Sequence, residues 1–266
     1  IADIGLVGDL FTVLPQLETV IVLDNPPTSL AGTGGARGAD TVACDAVEGA
    51  DPDFDPEPHW RAVEPEDILT LIYTSGTTGP PKGVQLVHRN LLAAVESIEK
   101  MIQFPDGAKV ISWLPSAHIA ERAAHHYLPI VYAMTITSCD NPREVVSYLP
   151  LVKPTWFFAV PRIWEKLKSG LEAMLASQPD EQRAPAEAAL KAAIQKVELE
   201  QAGQPVPEEL AAAVAEADAN MFSGLRQMLG LDEVEAVNVG AAPTPRDVLV
   251  FFHAIGIEVA ELWGMS

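Results

Sequence analysis

The stretch ILTLIYTSGTTGPPKGVQLVHRN, residues 68–90, decides the fold class of this chain. Residues 68–73 form an apolar run that predicts a buried strand. Seven residues without a large side chain, 74–80, come next, and Pro81 and Lys82 follow them. From His88 onward the apolar residues recur at helical spacing. The order strand, glycine-containing turn, helix is typical of α/β proteins with parallel sheets.

The turn of residues 74–82 has the features that an anion-binding site needs. Gly76 and Gly79 let backbone amides approach an anion closely, and Lys82 can add a point charge to a phosphate. The hydroxyl donors are Thr74, Ser75, Thr77 and Thr78. This is not a Walker A loop, because Pro81 precedes the lysine and Gly83 follows it. Phosphate binding is the interpretation we carry forward; an ordinary polar strand-to-helix turn is the alternative.

Strands and helices alternate through most of the remaining chain. The pattern predicts an α/β fold with layered, mostly parallel sheets and helices on both faces. Asn141 and Pro142 are suited to begin one of the helices as N-cap and first residue. The predicted segments are a helix and strand in 1–24, a Pro-, Gly- and Asp-rich loop in 25–66, an α/β segment with the glycine turn in 67–169, two or three helices between proline turns in 170–229, and a strand, helix and strand in 230–266. GTGGARG in 32–38 is interpreted as linker, because neither a clean strand nor a helix flanks it.

Composition excludes some classes of partner. The 266 residues contain 17 Lys and Arg against 37 Asp and Glu, a formal charge of −20, which argues against nucleic acid as the main partner. Cys44 and Cys139 do not form a disulfide framework, so we expect a reducing compartment such as the cytoplasm. No apolar run approaches the ~20 residues of a membrane-spanning helix. Peripheral membrane contact stays open, as does the oligomeric state.

Five motifs carry a resemblance to a known family. YTSGTTGPPKGV, residues 73–84, is similar to the phosphate loop of the adenylate-forming superfamily. SWLPSAHIAER in 112–122 and VPRIWEKL in 160–167 resemble segments of long-chain fatty acyl-CoA synthetases. VGAAP in 239–243 and ELWGMS in 261–266 resemble that family's adenine-side loops. The order of the motifs is most similar to the bubblegum-type branch. The resemblance covers the whole chain and implies the middle of a longer enzyme, a partial substrate-binding domain without its C-terminal domain.

The resemblance implies a two-step reaction and a role for each motif. A fatty acid would attack ATP to give acyl-adenylate, and coenzyme A would then take the acyl group. Lys82 and His118 would be catalytic, and Thr74 would lie near Mg²⁺. The phosphates of ATP would contact Ser75, Gly76, Thr77, Thr78, Gly79 and Lys82. The remaining nucleotide contacts would come from Gly240, Ala241, Ala242, Pro243, Glu261, Leu262, Trp263, Gly264 and Ser266.

Several alternatives stay open at this stage. His118 could be a buried structural histidine, and Trp263 could be a core aromatic residue. Glu121 and Arg122 are expected to form an ion pair with each other, and the adjacent His125 and His126 are not expected to bind a metal. A carrier-protein thiol could replace coenzyme A, or the chain could be a truncated, non-catalytic nucleotide-binding remnant. We expect the chain alone not to complete the reaction.

Overall fold

A computed structural model describes residues 19–22, 40–48, 51–74 and 80–265. It divides into two units, residues 1–63 and residues 64–266. The described elements of the first unit are strands β1 (Thr19–Val22) and β2 (Asp40–Ala43), which pair in parallel, and the short helices α1 (Cys44–Val47) and α2 (Glu57–Arg61). The prediction of one continuous loop over 25–66 is therefore wrong at β2, α1 and α2. The predicted N-terminal helix and the GTGGARG linker lie outside the described residues.

The second unit contains the alternating pattern. Its strands are β3 (Ile68–Thr74), β4 (Lys82–Val87), β5 (Lys109–Ser112), β6 (Thr135–Ser138), β7 (Trp156–Ala159), β8 (Ala236–Gly240) and β9 (Val259–Leu262). Its helices are α3 (His88–Glu99), α4 (Ile119–Glu121), α5 (Leu128–Tyr132), α6 (Val145–Val152), α7 (Pro161–Ala176), α8 (Asp180–Gln201), α9 (Glu208–Ala217), α10 (Ser223–Leu229) and α11 (Arg246–Ala254). π-helical turns at Arg122–Tyr127 and Asp218–Phe222 join α4 to α5 and α9 to α10. None of the described helices is long and apolar enough to span a membrane.

The glycine turn connects two antiparallel strands rather than a strand and a helix. Residues 82–87, KGVQLV, form β4, which pairs with β3 from Ile68↔Val87 to Thr74↔Lys82. The predicted strand-turn-helix unit is therefore wrong at this point, since a strand precedes α3. One face of β3 is also open, with Leu71 43% and Tyr73 69% exposed, so the expected burial of the whole run 68–73 is wrong as well.

The remaining strands form the predicted parallel sheet. β5 pairs with β6, and β7, β8 and β9 pair in that order, all in parallel. Thr155 joins the two groups, because its backbone N–H donates to the Lys109 carbonyl at 3.0 Å and its Oγ1 accepts from the Lys109 N–H at 2.8 Å. Trp113 Nε1 donates to the Phe158 carbonyl at 3.3 Å near the far ends of β5 and β7. These two strands therefore run side by side in the same direction.

The core lies on both faces of β7 and β8. All four residues of β7 are buried, which requires cover on both faces of the sheet. Trp164 of α7 packs edge-on against Phe157 and against Phe252 of α11, with ring centroids 5.7 and 4.9 Å apart. A second cluster joins Val95 of α3 to Val110, Leu128, Trp156 and Phe158. The predicted layered α/β fold is confirmed.

Two features of the helices follow from local sequence signals. Asn141 begins the segment before α6 as predicted, since its Oδ1 accepts from the Arg143 N–H at 3.2 Å and Pro142 is the first helical residue. Pro179 and Pro207 directly precede α8 and α9. Pro185, in contrast, lies inside α8. The segment 170–229 therefore contains α8, α9 and α10 after the end of α7.

Candidate nucleotide site

The end of the β3–β4 hairpin places a hydroxyl opposite a cation. Thr74 is the last residue of β3, and its register partner is Lys82, the first residue of β4. Lys82 is exposed and Thr74 is half-buried. The residues between them, Ser75, Gly76, Thr77, Thr78 and Gly79, lie outside the described residues, as does Ser266. A hairpin loop with a lysine at one base and a threonine at the other suits an anion bound at the tip of the hairpin.

Gly83 allows an aromatic ring to lie across the base of this loop. Tyr73 and Gly83 are register partners in the hairpin. A Cβ at Gly83 would lie 3.2 Å from the Tyr73 ring. An aromatic ring placed over a cross-strand glycine covers the backbone that the glycine leaves open. Tyr73 and Gly83, at the two ends of the twelve-residue motif, thus pack together at the base of the hairpin.

His118 lies on the loop that follows β5. Its Nδ1 accepts a hydrogen bond from the Ala120 N–H at 3.0 Å, which caps the start of α4. The side chain is exposed, so the alternative of a buried structural histidine is wrong. Because Nδ1 is the acceptor, the neutral ring carries its proton on Nε2, which stays available as a donor.

Glu121 is the buried charge of this region. Its carboxylate accepts from Ser112 Oγ at 2.5 Å, from the Leu114 N–H at 3.0 Å and from His125 Nδ1 at 2.7 Å. Burial alone would raise the pKa of Glu121, but the hydrogen bonds from His125 and Ser112 hold that pKa below its usual value. Glu121 is therefore ionised at neutral pH, and His125 must carry its proton on Nδ1.

Arg122 does not pair with Glu121, so the expected ion pair between them is wrong. Its Nε donates to the Ser116 carbonyl at 2.8 Å. Its Nη1 donates to Thr70 Oγ1 and lies 3.4 Å from the Leu71 carbonyl, both on β3.

The loop after β8 approaches the neighbouring strand closely. Gly240 is buried, and a Cβ there would lie 2.8 Å from the Leu262 carbonyl and 3.2 Å from the Phe158 ring. Ala241 has φ of +73°, a left-handed conformation that costs a non-glycine residue about 1 kcal/mol. Such strain is concentrated at ligand-binding sites. Ala242 and Pro243 follow with exposed side chains.

The residues after β9 lie beside that loop. Glu261 accepts from the Thr244 N–H at 3.2 Å, and Leu262 is the register partner of Gly240. Trp263 is 85% exposed, which excludes the alternative that it is a core aromatic residue. Gly264 is exposed too. A flat, uncovered aromatic ring can stack on a purine.

The candidate residues gather at one edge of the sheet. His118 follows β5, Gly240 ends β8 and Trp263 follows β9, and these strands are parallel. Ligands of open α/β sheets bind at the carboxyl ends of the strands. Arg122 links the hairpin that carries Thr74 and Lys82 to the loop of His118. The individual contacts of these residues with a nucleotide stay predictions.

The donors present suit a magnesium ion bound mainly by the nucleotide. No group of three His, Cys, Asp or Glu side chains that could hold a metal occurs among residues 19–22, 40–48, 51–74 and 80–265. Mg²⁺ at a nucleotide takes most of its ligands from phosphate oxygens and water and only one or two from protein. The Thr74 hydroxyl, at the base of the loop, fits that demand.

Comparison with known proteins identifies the family. The sequence profile of the AMP-binding enzymes matches residues 8–266, so the chain belongs to that family. The resemblance read from the five motifs is thereby confirmed.

Its relatives include a putative fatty-acid–CoA ligase, fadD11, of Mycobacterium tuberculosis, 46% identical over 214 residues, which are 80% of this chain and 38% of that protein. The long-chain-fatty-acid–CoA ligase ACSBG2 of Xenopus laevis, a bubblegum-type ligase, is 34% identical over 76% of this chain and 28% of its own length. The chain thus spans less than two fifths of the length of these two relatives.

Solved structures show the same fold at low sequence identity. The A-PCP didomain of the carboxylic acid reductase of Segniliparus rugosus in complex with AMP superposes with a TM-score of 0.61 at 21% identity, over 97% of this chain and 34% of that one. The N-terminal domain of FACL13 from Mycobacterium tuberculosis gives 0.52 at 22% identity, over 86% of this chain and 45% of that one.

Proposed function

We propose that the protein is an ATP-dependent fatty acid–CoA ligase. A fatty acid carboxylate attacks the α-phosphate of ATP and expels pyrophosphate, and the thiol of coenzyme A then attacks the acyl carbon and expels AMP. The family, and relatives named as fatty-acid–CoA and long-chain-fatty-acid–CoA ligases, support this assignment. The observation that carries it is the hairpin in which Lys82 faces Thr74 across a loop of hydroxyls and glycines.

The side chains at the hairpin suit the chemistry of the first step, the formation of acyl-adenylate. A carboxylate is already an anion, so the step needs alignment and charge stabilisation rather than a strong base. Lys82 would bind the β- and γ-phosphates together with the backbone of residues 75–79. Mg²⁺, near Thr74, would neutralise phosphate charge. No group with the pKa of a general base is required at the hairpin.

The remaining candidate residues would position the acyl end and the adenine end of the acyl-adenylate. The Nε2 proton of His118 is a donor suited to an oxygen of the acyl-adenylate, because Nδ1 is already an acceptor for Ala120. The open backbone of Gly240 to Pro243 would lie against the adenine, with Trp263 as a stacking partner. Glu261 would hold that loop through its contact with the Thr244 N–H.

The test is fatty-acid-dependent exchange of labelled pyrophosphate into ATP by the full-length protein that the gene encodes. Lys82→Ala should slow the exchange about 10–100-fold, as expected for the loss of one charge-assisted contact. Lys191→Ala is the matched control, because Lys191 is an exposed lysine with no carboxylate partner within the described part of the chain, and it should change nothing.

Each outcome of this test decides a different point. Equal exchange rates for Lys82→Ala and the unaltered protein would refute the role of the hairpin loop. If the protein catalyses the exchange but forms a thioester with a carrier protein instead of coenzyme A, coenzyme A is not the acyl acceptor. No exchange with fatty acids of any length would refute the ligase itself.

A further inference from the structure

Within the described part of the chain, a single side chain supplies the hydrogen bonds that connect the β3–β4 hairpin to the region of the parallel sheets. The hairpin strands pair only with each other. Among the described residues, the only hydrogen bonds that connect residues 68–87 to any residue beyond α3 come from Arg122. A two-stranded hairpin is at best marginally stable by itself, so such an anchor decides where it lies.

Arg122 contacts both the β3–β4 hairpin and the His118 loop through one guanidinium group. On one side its Nη1 reaches Thr70, which is buried in the middle of β3, and the Leu71 carbonyl. On the other side its Nε holds the Ser116 carbonyl, two residues before His118. Thr74 lies four residues beyond Thr70, about 13 Å along the same strand. The planar, multi-donor guanidinium makes these contacts together, which a lysine cannot do.

The backbone at Arg122 is also held in place. The preceding residue, Glu121, is buried and binds Ser112 at the end of β5 and the Leu114 N–H just after it. His125, one helical turn later, donates a third hydrogen bond to the Glu121 carboxylate. The backbone that carries Arg122 is therefore attached to the end of β5, while its side chain reaches β3.

From these contacts we propose that Arg122 is a positioning residue that sets the phosphate-binding hairpin relative to the His118 loop. The inference rests on the proposed function, in which these two loops hold the two reactants. In-line attack needs both reactants aligned, and a misplacement of about 1 Å can cost about 10²-fold in rate. The hydrogen bonds of the Arg122 guanidinium go to protein groups, so the proposed role is positioning rather than contact with a reactant.

The first test is hydrogen exchange on the full-length protein with Arg122→Lys and Thr70→Val. Both variants keep the approximate size of the side chain. Arg122→Lys removes the guanidinium group, and Thr70→Val removes the hydroxyl group that accepts its hydrogen bond. Amides of residues 68–87 should exchange about 10-fold faster, while those of β7 and β8 keep their rates, because only the hairpin loses its anchor. Arg143→Ala is the matched control, an exposed arginine without a carboxylate partner among the described residues, and it should leave the hairpin unchanged. Unchanged hairpin exchange in Arg122→Lys, or faster exchange throughout, would overturn the proposal.

The second test separates positioning from a merely structural role. In the pyrophosphate-exchange assay, Arg122→Lys should lower kcat about 10–100-fold and leave the KM for the fatty acid unchanged. Loss of hairpin protection with an unchanged kcat would show that the anchor does not matter to catalysis and would overturn the positioning role. If the unaltered protein shows no fatty-acid-dependent exchange, the proposed function fails, and hydrogen exchange alone decides whether Arg122 holds the hairpin.

Discussion

The β3–β4 hairpin and the β7–β9 sheet belong to one unit but are stabilised in different ways. Every residue of β7 is buried, and its neighbour β8 is buried at four of its five residues. In β3, by contrast, Leu71 and Tyr73 face outward and only Thr70 and Ile72 are buried. The sheet is thus held by apolar packing on two faces, whereas the hairpin is held on one face and by Arg122.

This difference separates a sheet packed on both faces from a hairpin packed on one face. The sheet fixes the ends of β5, β8 and β9, from which the His118 loop and the loop after Gly240 extend. The hairpin, with one open face, is expected to have a lower local stability than the sheet. Four substitutions test whether the contrast is real.

The largest effect is expected from Phe252→Ala, in the core between helix α11 and the β7–β9 sheet. The Phe252 side chain is fully buried, with ring contacts to Trp164 at 4.9 Å and to Phe251 at 5.3 Å. Its removal should lower the free energy of unfolding by about 3–5 kcal/mol, because the surrounding packed core can only partly close the cavity. Urea denaturation measures the change.

Leu151→Ala is the control for this prediction, because Leu151 is 81% exposed. It should change the free energy of unfolding by no more than about 0.5 kcal/mol. Similar losses for Phe252→Ala and Leu151→Ala would mean that the sheet is not the stable part of the unit, and the contrast with the hairpin would be lost.

Glu121→Gln tests the junction between the two regions and should have the next largest effect. Glutamine keeps the shape but not the charge, so the hydrogen bonds from Ser112, the Leu114 N–H and His125 lose a charged acceptor. We expect a loss of about 1.5–3 kcal/mol at pH 7. Glu165→Gln, at an exposed position on α7, is the matched control and should be nearly neutral.

The pH dependence gives an independent check of the same network. The pKa of Glu121 is lower in the folded state than in the unfolded chain, so the unfolded state binds the proton more readily. The stabilisation is therefore complete above the ordinary glutamate pKa of about 4.3 and is lost as the pH falls through the folded pKa. The difference in stability between the unaltered protein and Glu121→Gln should shrink over that range. A difference that stays constant down to pH 3 would contradict an ionised Glu121.

The regions that could be predicted from sequence are those in which a local pattern determines the structure. The apolar runs of β5 to β9 and the Asn141 cap carry their own signals, so the sheet and its helices were predictable. β4 was missed because KGVQLV begins with a lysine and a glycine directly after the turn and has no long apolar run. The partners of Glu121 and Arg122 were missed because they come from β5 and β3, and sequence adjacency favoured pairing the two charges with each other.

The smallest effects, and the most direct comparison of the two regions, come from one substitution made at two glycines. Gly240→Ala places a methyl group 2.8 Å from a backbone carbonyl, that of Leu262, and the packed sheet cannot move aside. We expect a loss of about 1–3 kcal/mol in the free energy of unfolding. Gly83→Ala places the methyl group 3.2 Å from the Tyr73 ring, a side chain that is 69% exposed and free to rotate away.

For Gly83→Ala the gain from a stiffer backbone and the loss of ring packing should nearly cancel, to within about 0.5 kcal/mol. Gly264→Ala is the control for both, since a Cβ there meets no atom within 4 Å. Urea denaturation of the three variants gives the comparison directly. A loss at Gly83 as large as that at Gly240 would show that the base of the hairpin is packed as rigidly as the sheet, and the contrast between the two regions would be lost.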